Sequence, residues 1–150
     1  MSKKLYLAYG SNLNLEQMAH RCPTAKVVGK AEINNMQLLF RGPYESAVAT
    51  IEPRKGSAVP VLVWEITPED EAALDRYEGF PLLYRKESVN VQLEGKTVQA
   101  MVYIMNEGRP LGMPNCHYYS IILEGYKVVG FDVDILRTAV KRSADALEKE

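Results

Sequence analysis

Cysteine is almost missing from this chain. Cys22 and Cys116 are its only two and lie far apart, so no disulfide framework is available and a reducing compartment is expected. An excess of one charge is missing too: 18 Lys and Arg stand against 19 Asp and Glu, for a net charge of -1, without the basic surplus that neutralises a phosphate backbone. Nucleic acid is therefore not an expected partner. The apolar run Leu5-Tyr6-Leu7-Ala8-Tyr9 is too short for a signal-peptide core or a membrane span, so no membrane partner and a cytoplasmic location are expected. There is no phosphate-cradling Gly-rich loop, no Gly-x-Ser-x-Gly elbow, no paired-Cys motif, no repeat and no low-complexity segment. Histidine is scarce as well. His20 with Cys22, and Cys116 with His117, lack zinc-ligand spacing, so no metal is expected, and helical neighbours such as Cys116 and His117 point about 100° apart and cannot face each other as nucleophile and base.

At 150 residues, with 47% of them hydrophobic, the chain is long enough for one domain, spanning residues 1–150, with a core of its own. Leu5 to Tyr9 reads as a strand and Gly10-Ser11-Asn12-Leu13 as a tight loop. Leu15 to Arg21 follows as a short helix with Asn12 or Asn14 as its cap. Lys26 to Ile33 and Met36 to Phe40 read as a hairpin turning at Asn34-Asn35, and Ala47 to Ile51 as a strand that Pro53 stops. Val59 to Ile66 is apolar enough to be buried on both faces near the centre of a sheet. Thr67-Pro68-Glu69-Asp70 is a helix start with a Thr cap, a Pro at the first position and acids in the first turn, and Gly79 is placed to end that helix just after Glu78. Tyr84 to Leu93 and Thr97 to Met105 alternate as a second hairpin around Glu94-Gly95-Lys96. After a loop from Asn106 to Pro114, Asn115 caps a helix to Val129, and Asp132 caps a closing helix whose charged end is Glu148-Lys149-Glu150. The expected class is α+β, with about six or seven strands curled into a small mixed barrel flanked by helices.

Two places carry candidate chemistry. Gly10 lets the backbone turn, Ser11 and Asn12 bring short polar groups, and N–H groups at a helix start favour an anion such as a carboxylate or a developing oxyanion. Glu78 sits at the negative end of a helix dipole and precedes the apolar Phe80-Pro81-Leu82-Leu83. Both effects disfavour its charged form and make it a better base near neutral pH, and repulsion from Glu71 and Asp75 on the same helix side would act in the same direction. Among Tyr9, Tyr77, Tyr84, Tyr103, Tyr118, Tyr119 and Tyr126, some are expected to line a pocket.

Tyr9-Gly10-Ser11-Asn12-Leu13 together with Leu74-Asp75-Arg76-Tyr77-Glu78-Gly79 resembles the γ-glutamylcyclotransferase-like family, which includes the γ-glutamylamine cyclotransferases and the plant AIG2-like proteins. The resemblance extends over most of the chain. It implies a small mixed β-barrel, a substrate loop at Tyr9, Gly10, Ser11, Asn12 and Leu13, a catalytic glutamate at Glu78, and a pocket tyrosine at Tyr118, with Tyr119 as the competing alignment. It also implies a reaction that needs no cofactor. The α-amine of a small γ-glutamyl amine or peptide attacks its own γ-carbonyl, releasing 5-oxoproline and the free amine, with Glu78 as general acid and base. The loop would hold either the α-carboxylate or the oxyanion, and Arg85 or Arg109 a carboxylate on the leaving group. Two other readings stand beside this one: a binding module that uses the same pocket without turnover, and a protein that assembles through Asp132 to Glu150. The oligomeric state is left open by the sequence.

Overall fold

The computed structural model describes residues 3–148. In chain order they form β1 (Lys4–Ala8), a single 3-10 turn (Ser11–Leu13), α1 (Leu15–Arg21), β2 (Lys26–Arg41), β3 (Val48–Ile66), α2 (Pro68–Glu78), β4 (Tyr84–Leu93), β5 (Lys96–Met105), α3 (Cys116–Val129) and α4 (Val133–Glu148). The strands make one five-stranded sheet in the order β2-β3-β1-β5-β4. All its pairings are antiparallel except β1 with β5, where Tyr6 lies opposite Met101. The mixed α+β class is as expected, and Val59 to Ile66 does run beside the central strand. The barrel does not form. No ladder joins β4 back to β2; instead the Leu93 side chain of β4 lies 2.7 Å from where a Cβ at Gly29 of β2 would be, so the two edges meet through side chains.

The strand count is also corrected, because turn chemistry was spent on a bend rather than on chain reversals. Asn34-Asn35 is no hairpin turn. The pairing of β2 with β3 continues past it, jumping from Asn34 opposite Ala58 to Met36 opposite Pro53. Asn35 takes a φ of 60° and Gly56 a φ of 86° at this irregularity, and Asn35 Oδ1 accepts from the Gly56 N–H at 3.1 Å, replacing a bond the ladder loses there. Pro53 is thus absorbed inside a 19-residue β3, and each long strand had been read as two.

The helices form where their end signals stand. Thr67 Oγ1 accepts from the Asp70 N–H at 3.2 Å and the Asp70 carboxylate from the Thr67 N–H at 3.0 Å, a complete capping box, while Gly79 closes α2 in the left-handed region at φ 67°. Asn115 caps α3, and the Asp132 side chain accepts from the Asp134 N–H at the head of α4. α4 buries Leu136, Ala139 and Ser143 and reaches β2 through Arg142 and Ser143, which donate to the Leu38 and Phe40 carbonyls. Lys149 and Glu150, at the charged end expected for it, lie outside the described residues. No described helix is long and apolar enough to cross a membrane.

Candidate active site

Past Ala8 the chain leaves the sheet at Tyr9 and coils into the 3-10 turn, in which Leu13 N–H bonds Gly10 O and Asn14 N–H bonds Ser11 O, both at 3.0 Å. Ser11, Asn12 and Leu13 are all buried. Asn14, not Asn12, caps α1, accepting from the Gln17 N–H at 3.1 Å; it also donates to Glu124 at 2.7 Å and to the Ile121 carbonyl, which fastens the loop to α3. The turn consumes the N–H groups of Leu13 and Asn14, while those of Ser11 and Asn12 take no part in it. Gly10 is held close to β3: a Cβ there would stand 3.3 Å from Ala49 Cβ and 3.6 Å from the Tyr118 hydroxyl.

Glu78, the last residue of α2, turns into the same cavity. This small cavity, about 20 Å³ in volume, is lined by Tyr9, Gly10, Ser11, Asn12, Glu78 and Tyr118 together with Tyr6, Leu7, Ala49, Tyr84 and Tyr103. Burial pushes the Glu78 carboxyl up to about 7, and the charge of Arg21 partly opposes the rise. Repulsion from neighbouring acids, expected from the sequence, makes no contribution. Glu71 and Asp75 are neutralised by Lys86, whose ammonium lies 2.6 and 2.9 Å from them, with Lys4 adding a second contact to Glu71. Burial alone would raise Glu71, but the hydrogen bonds from Lys86 and Lys4 bring it below its ordinary value.

Tyrosines build the walls. Tyr9 Oη donates to the Tyr103 carbonyl at 2.7 Å, and Tyr6 Oη accepts from Asn12 Nδ2 at 2.8 Å. Tyr84 Oη donates to the Ala49 carbonyl, while Tyr118 Oη accepts from the Ala49 N–H at 3.0 Å, so two hydroxyls replace the strand that Ala49 lacks on that side. Burial first, then the nearby Glu78 charge, holds Tyr6 and Tyr9 well above the ordinary tyrosine value; burial first, then Tyr9 and Tyr118, does the same for Tyr84, and burial for Tyr118. These hydroxyls stay neutral donors and acceptors wherever Glu78 titrates.

Of the residues named from sequence, Tyr9 to Asn12, Glu78, Tyr84, Tyr103 and Tyr118 line the cavity, whereas Leu13 turns into the core and Tyr77 and Tyr119 are not in the lining. Tyr126 is buried against Phe131, away from the site. Arg85 and Arg109 belong to a different cleft: Arg85 is bound to Glu87 and to the Met105 carbonyl, and the Arg109 carbonyl receives Arg41. Cys22, buried with its thiol toward the Asp70 carbonyl, and the exposed Cys116 are both free. Sequence reasoning missed Tyr6, Ala49 and Arg21. The alternation of β1 puts Tyr6 and Ala8 on one face and offered a signal for the first; nothing local marks Ala49 or Arg21 as facing Glu78.

Comparison with known proteins gives the chain its family and relates its fold to solved structures. The profile of the family described as "Gamma-glutamyl cyclotransferase, AIG2-like" matches residues 6–126. Bovine γ-glutamylcyclotransferase (Bos taurus) is 30% identical over 139 residues, covering 87% of this chain and 73% of the bovine protein, and the human enzyme (Homo sapiens) is 30% identical over 141 residues with the same coverage. Among solved structures, a human protein titled as uncharacterised superposes with a TM-score of 0.82 at 27% identity, over 93% of this chain and 87% of its own. A structure titled γ-glutamyl cyclotransferase, at 24% identity, shares the fold with a TM-score of 0.82 over 99% of this chain and 100% of its own. With its profile matched from β1 into α3 and two mammalian relatives at 30% identity, the chain belongs to the γ-glutamyl cyclotransferase, AIG2-like family.

Proposed function

We propose that this protein is a γ-glutamyl cyclotransferase that converts a small γ-glutamyl amine or peptide to 5-oxoproline and the free amine, with Glu78 as general base and then general acid. The observation that carries this reading is that the loop from Tyr9 to Asn12 and the Glu78 carboxyl line one small cavity. A γ-glutamyl group folded there has its α-amine nitrogen and its γ-carbonyl carbon as the two ends of a five-atom chain that closes to the ring, so much of the rate comes from holding the two ends together. The α-amine is mostly protonated at neutral pH, and a carboxylate with a pKa of about 7 is matched to removing that proton. As the carbon–nitrogen bond of the amide breaks, the same proton passes to the leaving nitrogen, so the reaction balances without a co-reactant. Ser11 and Asn12, whose N–H groups the turn does not use, supply donors for the oxyanion on the carbonyl carbon or for the α-carboxylate. Neutral tyrosine hydroxyls around them fix polar groups without adding charge.

The test is incubation of the purified protein with a panel of γ-glutamyl amino acids, peptides and amines, following 5-oxoproline, with Glu78→Gln in parallel. Turnover by the parent protein and a loss of about 10²- to 10⁴-fold in kcat for Glu78→Gln are expected. Undiminished turnover by Glu78→Gln would remove Glu78 from the mechanism. Panel members that raise the melting temperature of both proteins without being consumed would mark a binding module instead.

A further inference from the structure

Arg21 is the last residue of α1, and its guanidinium is held on three sides. It donates through Nη1 to Asn12 Oδ1 and through Nη2 to Gln17 Oε1 at 3.2 Å, and its Cζ stacks 3.4 Å from the centre of the Tyr77 ring. Two of these contacts lead to the cavity. Asn12 passes the constraint to Tyr6, donating to its hydroxyl at 2.8 Å, and Tyr77, adjacent in sequence to Glu78, shares a hydrogen bond of 2.7 Å with Ser11. A single planar group therefore ties the loop to the end of α2. The two lysines beside α2 are engaged elsewhere: Lys86 with Glu71 and Asp75, Lys4 with Glu71.

We propose that Arg21 is a positioning residue: its guanidinium sets the separation between the substrate loop and the Glu78 end of α2, and it places a positive charge on Tyr77, beside that end. The use of that separation in catalysis rests on the cyclotransferase reading above; the contacts themselves do not. Only an arginine fits such a place, because a planar fork bonds at its edge while its face lies on an aromatic ring, and an ammonium cannot do both. The titratable groups that line the cavity with Glu78 from the other packed elements are Tyr6 and Tyr9 from the β1 segment, Tyr84 from β4, Tyr103 from β5 and Tyr118 from α3, all held neutral. On the other side of Arg21 lies Cys22, which burial raises to about 11. Arg21 is thus the one charge set against Glu78 among the described residues, and removing it moves the carboxyl further toward its protonated form.

The deciding experiment compares Arg21→Met, Arg21→Gln and Arg21→Lys in the full chain, with two readouts. The first is the titration of the Glu78 carboxyl by NMR of isotope-labelled glutamate, assigned by the signal lost in Glu78→Gln. The second is KM and kcat across pH for the best member of the γ-glutamyl panel. The neutral variants are expected to titrate about one unit higher, to shift the acidic limb of kcat/KM with the titration, and to raise KM by about 10-fold. Arg21→Lys is expected to restore the titration while KM stays raised. Neutral variants that titrate and bind as the parent does would overturn the proposal. So would an Arg21→Lys chain as unfolded as Arg21→Met, since the guanidinium would then serve folding alone. If the parent consumes nothing in the panel, the cyclotransferase reading falls while the NMR titration still decides the placement of the charge.

Discussion

At the scale of the residue, Glu78 is held in a place that disfavours its charge, and this has a consequence for stability that is separate from activity. Its carboxyl is raised from an ordinary 4.5 to about 7, so between those values the folded chain binds more protons than the unfolded one. Stability from this group is complete below the lower value and is lost as pH rises through the window. Each pKa unit corresponds to about 1.4 kcal/mol, and partial exposure of the side chain leaves an effect on the order of 1–2 kcal/mol. Glu78→Gln is never charged and escapes it. Thermal unfolding across pH should therefore show the variant and the parent melting together near about pH 4 and the variant melting roughly 3–6 °C higher at about pH 8. A variant that melts lower at every pH would mean that the carboxylate is stabilising where it sits.

At the scale of the element, the loop is placed by what presses on it from behind. Gly125 of α3 faces the backbone of Leu13 so closely that a Cβ there would lie 2.9 Å from the Leu13 carbonyl carbon and 3.1 Å from Asn14 N. Neither atom can yield without moving the turn. Gly125→Ala is expected to lower stability by about 1–3 kcal/mol in urea unfolding and, by displacing Ser11 and Asn12, to raise KM more than it lowers kcat. The helices, unlike the strands, were almost fully legible in the sequence, since Thr67, Gly79, Asn115 and Asp132 act on their immediate neighbours and need no tertiary information. Glu78 and the loop were legible for the same reason, each lying at a marked helix end. The strand count was not, because Asn34-Asn35, Pro53 and Gly56 are turn residues in any local reading, and only the pairing partner across the sheet decides whether the chain reverses or bends. Arg21 was illegible on similar grounds. What makes it notable is Tyr77, which a different helix brings over its face.

At the scale of the whole molecule, the cavity exists only when distant parts of the chain have met: β1 and its loop, Ala49 from β3, Glu78 from α2, Tyr84 from β4, Tyr103 from β5 and Tyr118 from α3. α4 contributes nothing to this lining, yet it covers β2 with Leu136, Ala139 and Ser143. A chain ending before Asp132 would leave that face of β2 and the Phe40 carbonyl uncovered. It is expected to lose cooperative unfolding by circular dichroism and to aggregate, whereas a helix serving only assembly would leave a well-folded chain of lower mass by light scattering.

The sheet order also sets a sequence of events in time. β1 is the middle strand, and it is the first made on the ribosome; one edge waits for Leu62 to Ile66 and the other for Met101. At ordinary elongation rates that second edge stays open for on the order of 10 s. The loop that follows β1 is therefore made well before its surroundings, and the cavity it lines is complete only once β5 and then Tyr118 of α3 have followed.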